Sequence, residues 1–222
     1  MRVVVGLGNP GAEYARTRHN AGFMALDRLA ARHAPTAVAR SRFGGVTIEA
    51  EIASGGRTER VLLLKPLTYM NLSGRSVSEA VRFYKIDPAK DVMVVVDDIA
   101  IPCGQIRIRV SGSAGGHNGL ADIERSLGTQ DYARCRIGID APGRIAQRDY
   151  VLGRFTDEQW PTVDRSLNDA ADAVELWVFQ GASAAMNRFN TRVEEAVKPA
   201  PRPAEPADTS SSPPSTSASD QV

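Results

Sequence analysis

The sequence predicts a single α/β domain built on a twisted, mixed β-sheet flanked by helices. Three observations lead there. Arg2–Leu7 and Val92–Val96 are apolar runs of the kind found in strands covered on both faces. Gln105–Val110 and Ala133–Ile139 alternate strictly between apolar and polar residues, as half-buried strands do. Stretches with apolar residues at helical spacing lie between the strands, so the two kinds of element interleave.

Arg2–Leu7 opens the sheet. Ala21–Arg32 follows as a helix, with Phe23, Leu26 and Leu29 on one side. Val46–Ala53 and Glu59–Leu64 read as strands joined through the turn-prone Ser54-Gly55-Gly56. Leu72–Lys85 is helical, with Val77, Val81 and Tyr84 sharing a face, and it stops before Pro88. Val92–Val96 is a central strand. Gln105–Val110 sets Ile106, Ile108 and Val110 against Gln105, Arg107 and Arg109; Ala133–Ile139 sets Cys135, Ile137 and Ile139 against Arg134 and Arg136. Thr156-x-x-Gln159 has the form of a capping box for a helix that runs to Phe179 and is stopped by Gly181. A last helix is expected through about Glu195.

At 222 residues the chain can bury a full core as one domain. A net charge of +1 gives no overall nucleic-acid signature, so any basic surface must be local. Cys103 and Cys135 stand apart, with no metal-ligand spacing around them, and read as reduced thiols. No apolar run approaches 18 residues and no signal peptide precedes the first strand, so a cytoplasmic protein is expected. From Lys198 the chain turns to proline, serine and small polar residues, too few apolar groups to offset the entropy of ordering. The expected division is a folded body of residues 1–197 and a disordered tail of residues 198–222.

Gly6-Leu7-Gly8-Asn9-Pro10-Gly11 has the letters of a dinucleotide-binding turn but lacks its context. That turn needs a helix opening inside the motif and an acid at the end of a second strand about 20 residues on. Here Pro10 intrudes, "AEYARTRH" has no apolar stripe, and Asp27 falls inside the first helix. A nicotinamide-dependent oxidoreductase is therefore disfavoured and no cofactor is expected. The glycines instead permit a tight turn that presents Asn9 at a strand end.

Four stretches, "GLGNPGAEYARTRHNAGF", "KPLTYMNLSG", "VVDDIAIPCGQIRIR" and "GSAGGHNGL", with "YARCRIGI" after them, closely resemble bacterial peptidyl-tRNA hydrolase in wording and order. The resemblance spans about residues 1 to 190. It implies a monomeric α/β enzyme, without a metal, that hydrolyses the ester joining a peptide to the terminal ribose of tRNA. Its partner would be peptidyl-tRNA, and no membrane is involved.

The residues suit that chemistry. His19 lies in a polar loop between a strand and a helix, and neutral imidazole can take a proton from water near pH 7. Asp97 ends a central strand; by resemblance it bonds one imidazole nitrogen and fixes the tautomer. Asn9, Asn71 and Asn118 carry carboxamides that donate and accept without titrating. Each asparagine alone could be a cap or turn residue, and the resemblance assigns them to the site. Ser73 lacks a nucleophile elbow and Cys103 has no nearby base, which leaves water as the attacking group. His117 is left between a catalytic and a loop-structuring role, and His33 reads as an exposed or capping residue.

Tyr14, Tyr69 and Met70 are expected to face the peptide or the terminal base, with simple core packing as the alternative for Tyr69 and Met70. Arg107, Arg109, Arg134 and Arg136 are candidates for phosphate contact or for a plain solvated strand face. By resemblance Arg107, Arg109 and Arg136 fall at the family's phosphate-binding positions. The chain departs from the family pattern at Asp140-Ala141-Pro142, where glycine and then a basic residue are usual before the proline. That puts an acid near the expected phosphate surface. An RNA-binding protein without hydrolysis is the competing reading; the oriented base formed by His19 and Asp97 argues against it.

Overall fold

A computed structural model of the chain describes residues 1–190. The boundary expected at 197, the proline- and serine-rich tail and the end of the last expected helix lie outside the described residues. Seven strands form one sheet: β1 (Arg2–Gly6), β2 (Arg40–Arg42), β3 (Gly45–Ser54), β4 (Arg57–Pro66), β5 (Val92–Asp98), β6 (Ile106–Arg109) and β7 (Ala133–Gly138). Their order is β2-β3-β4-β1-β5-β7-β6. β4, β1, β5 and β7 are parallel neighbours, while β2–β3, β3–β4 and β6–β7 pair antiparallel, so the sheet is mixed.

The helices are α1 (Ala21–His33), α2 (Ser73–Tyr84), α3 (Pro88–Asp91), α4 (Asn118–Leu127), α5 (Gln147–Leu152) and α6 (Trp160–Phe189). Alternate strand residues serve opposite cores. Val4, Val95 and Cys135 pack with Leu26 and Leu29 of α1 and with Leu167 and Trp177 of α6. Val3, Val5 and Val94 pack with Val77 of α2 and with Leu120 and Ile123 of α4. A sheet covered on both faces has no polar face to show, which is why its central strands are apolar throughout.

The capping box at the start of α6 is formed: Gln159 N donates to Thr156 Oγ1 and Thr156 N donates to Gln159 Oε1, each at 3.2 Å. Gly181 breaks the helical geometry at φ 81° and ψ 174°, but helix resumes at once, so the two expected helices form one kinked run.

Two expectations about strand faces are corrected. Arg134, expected as a phosphate contact or on a solvated strand face, is fully buried. β7 is an interior strand, and α4 covers the face that Arg134 shares with Arg136. There Arg134 bonds Glu124 at 3.2 Å and lies 4.1 Å over the Tyr132 ring. Val110, expected on the apolar side with Ile106 and Ile108, lies beyond the end of β6 and is exposed. The free backbone of β6 is covered instead by Asn190, which exchanges two hydrogen bonds with Ile108 at 2.8 and 3.0 Å.

Candidate active site

Parallel strands place the ends of β1, β4 and β5 on one edge of the sheet, and the loops leaving them surround a cleft of about 740 Å³. Its wall includes Asn9 after β1, Tyr69, Met70 and Asn71 after β4, and Asp97 at the end of β5. Tyr14, His19, His117, Asn118 and Arg136 line it as well, so the cleft gathers the expected residues except Arg107 and Arg109. Asn71 and Asn118 are exposed, and Asn118 is the first residue of α4.

Two glycines explain how His19 reaches Asp97. A Cβ on Gly22 would sit 2.3 Å from the Val95 carbonyl oxygen and 2.4 Å from Leu7 N; one on Gly6 would sit 2.4 Å from the Gly22 oxygen. The first turn of α1 thus rests directly on the backbone of β1 and β5. The short 3-10 turn Arg18–Asn20 that leads into α1 is carried to the end of β5. Gly6, the first glycine of the run that resembles a cofactor motif, serves helix-to-strand contact.

His19 Nδ1 lies 2.9 and 3.1 Å from the two oxygens of Asp97. An ionised carboxylate only accepts, so Nδ1 carries the proton and Nε2 is left as the basic nitrogen. Asp97 also meets His117 Nε2, at 3.2 Å. The opposite nitrogen of His117 accepts from the backbone N–H groups of Gly119 and Leu120 at 3.2 and 3.3 Å, capping α4. Those amides can only donate, so the His117 proton is on Nε2 and points at Asp97. His117 thus caps α4 and also touches the carboxylate that faces His19, which fits the loop-structuring role expected for it.

Burial pushes the Asp97 carboxyl upward, but its interactions with His19 and His117 outweigh that and hold it well below the ordinary carboxylate range. Burial pushes the Cys135 thiol up to about 12 and raises that of Cys103 as well, so neither offers a ready thiolate. The sequence predicts no metal site, yet the fold sets one ligand atom each of His19, Asp97 and His117 within 4.8 Å of one another. A cation there would have to displace the protons that link both rings to the carboxylate.

Asn9 is held from three sides. Its Oδ1 accepts from Met70 N at 3.0 Å, while Asn20 accepts from its backbone N–H and donates to its carbonyl at 2.9 and 3.0 Å. Among the described residues, that leaves the Asn9 Nδ2 as a free donor. Tyr69, the residue before Met70, has φ 58° and ψ 160°, a region that costs a residue with a side chain roughly 1–3 kcal/mol.

Arg136 reaches the cleft but is already engaged, donating to Asp98 Oδ2 at 2.9 Å and to the Ser113 carbonyl at 2.8 Å. Arg107 and Arg109 lie outside the cleft on β6, at one edge of the sheet. Asp140, the departure from the family pattern, has φ 65°, the conformation glycine adopts most easily. Its carboxylate accepts from Cys103 N at 2.7 Å and from Gln159 Nε2 at 3.4 Å, so it is taken up inside the fold.

Sequence reasoning missed Asn20, Arg18 and the α5 wall. Arg18 is buried, lies 4.3 Å over Tyr150 and donates to the Arg154 carbonyl at 2.8 Å, tying the His19 turn to α5. Val151 and Leu152 of α5 line the cleft. Asn20 and Arg18 flank His19 in the sequence, and that adjacency was the available signal. Nothing local marked α5. His33 pairs with Glu175 of α6 at 2.8 Å.

The family model described as peptidyl-tRNA hydrolase matches residues 3–198. The peptidyl-tRNA hydrolases of Bacillus cereus and Chloroflexus aggregans are 50% and 48% identical over 192 residues. Those 192 residues are 86% of this chain and 100% and 99% of the respective relatives. The crystal structure of the Acinetobacter baumannii peptidyl-tRNA hydrolase superposes with a TM-score of 0.76 at 36% identity, covering 86% of this chain and 94% of that one. A family match across the whole body, full-length relatives at half identity and a shared fold agree: the chain belongs to the peptidyl-tRNA hydrolase family.

Proposed function

We propose that the chain hydrolyses the ester between a peptide, or an N-blocked aminoacyl group, and the 3′-terminal ribose of tRNA, with a water activated by His19. The observation that carries this is the contact between His19 Nδ1 and a buried, ionised Asp97, which leaves Nε2 as the acceptor on the cleft wall. Nε2 takes a proton from water as the oxygen attacks the ester carbonyl. Asp97 stabilises the imidazolium that forms, and the imidazolium returns the proton to the departing ribose oxygen. The free amide of Asn9, with Asn71 and Asn118, supplies donors for the oxyanion; one such donor is worth about 3 kcal/mol.

Tyr14, Tyr69 and Met70 face the acyl group and the terminal base, and Arg107, Arg109 and Arg136 meet phosphates. Arg136 must share its guanidinium with Asp98 to do so. We infer that the protein is a monomer and that it works in the cytoplasm; the two unpaired cysteines favour a reducing compartment. The test is incubation of the purified chain with N-acetyl-aminoacyl-tRNA while following release of the acyl group. Release well above spontaneous hydrolysis is expected. Tight tRNA binding with no release would favour the RNA-binding reading instead.

A further inference from the structure

The catalytic reading leaves an aromatic cluster unused at the other side of the same sheet edge. β2 and β3 are joined by the two-residue turn Phe43-Gly44, with φ 55° and 61°. Such turns favour asparagine, aspartate and glycine, and a phenylalanine there stands in unfavourable backbone geometry. Its ring lies 5.5 Å from Phe83 and 6.0 Å from Tyr84, at the end of α2. Phe83 is 60% exposed, and the Arg42 guanidinium stacks 4.8 and 4.7 Å from the Phe43 and Phe83 rings. Phe43 and Tyr84 rest partly buried against the core, whereas Phe83 stands out into solvent beside Arg42, an aromatic face that the core does not need.

The platform adjoins the loop that carries Tyr69 into the cleft. The register Arg42↔Gly45 and Gly45↔Pro66 sets the turn level with the end of β4, the strand end from which Tyr69 departs. Leu67 N donates to the Gly44 carbonyl at 3.0 Å, joining the turn to the Tyr69 loop. Leu67, Tyr69 and Leu72 along that loop are exposed apolar residues. Tyr69 shares the positive φ of Phe43, so two strained aromatics stand on adjoining loops.

The geometry points to a path for the peptide. Arg107 and Arg109 lie on β6 at one end of the strand order, and the platform lies at the other, beside β2. A substrate whose tRNA comes from the β6 side must lead its peptide the opposite way. We infer that Phe43, Phe83 and Arg42 hold the peptide several residues upstream of the ester. The turn is two to three strand spacings from β1, roughly 10–14 Å, which three or four extended residues would span.

This rests on the peptidyl-tRNA reading, and two substrates on the same tRNA separate the two claims. One carries a single N-acetyl-aminoacyl group; the other carries a hexapeptide with leucine and phenylalanine in its upstream half. The parent is expected to show a lower KM for the hexapeptidyl substrate. In Phe83→Ala and Arg42→Ala that KM should rise about threefold to tenfold, the scale of one lost aromatic contact. The short substrate should stay within twofold in KM and kcat. Phe43→Asn suits the turn but gives up the packing of Phe43 against the core, so Tm is measured beside KM; the variant should lose the length advantage while the short substrate is hydrolysed as by the parent. A parent without a length advantage, variants with unchanged KM for the long substrate, or variants that weaken both substrates alike would overturn the inference. The last outcome would place tRNA on the platform. Failure of the parent to hydrolyse the short substrate would instead strike the reading on which the inference rests.

Discussion

At the scale of single residues, one carboxylate sets the protonation of the site. Asp97 accepts from His19 and His117, and their hydrogen-bond partners leave one consistent placement of both ring protons. Because its carboxyl is held below the ordinary range, the folded state binds fewer protons there than the unfolded state at acid pH. The stability this adds is complete above the unfolded pKa of about 3.9 and is lost as pH falls through the lower folded value. Asp97→Asn should therefore flatten the acid limb of a Tm-versus-pH curve below about pH 4. Parallel acid limbs in parent and variant would contradict this. The sequence made His19 and Asp97 legible because both lie at the ends of readable elements. It did not reveal how His117 acts, since its contact spans 20 residues and depends on where β5 and α4 end up in space.

Among the elements, close approach between α1 and the sheet does the positioning. Gly22→Ala would push a methyl group against the Val95 carbonyl and Leu7 N, backbone atoms that cannot turn aside. Overpacking of this kind costs typically 1–3 kcal/mol. The variant should unfold at lower denaturant with an unchanged m-value, and a parent-like midpoint would show that α1 can lift away freely. The strands that carry the core were legible because burial on two faces, or on one, writes itself as an apolar run or an alternation. The misreading of Arg134 has the same root. An alternating strand normally shows its polar side to water, but here α4 covers that side and supplies Glu124 and Tyr132 to receive the arginine. β2 is three residues of "RSR", and α5 is six residues without an apolar period, so neither offers a pattern to read.

Across the whole molecule, the sheet separates the expected tasks: a base and its carboxylate at the central strand ends, arginines toward β6 and aromatics toward β2. The family match ends at residue 198, where the composition turns to proline and serine, and the relatives are matched over essentially their full length without that segment. Deleting residues 198–222 is expected to leave Tm and acyl release unchanged; a marked fall in either would assign the segment a contact with the body. The central claim is that His19 is the base. Its most direct test is single-turnover release of the acyl group from N-acetyl-aminoacyl-tRNA by His19→Ala, with tRNA binding measured on the same preparation. General-base catalysis is worth about 10²- to 10⁴-fold, so release should fall by that factor while folding and binding persist. Release within about threefold of the parent in a folded variant would contradict the mechanism.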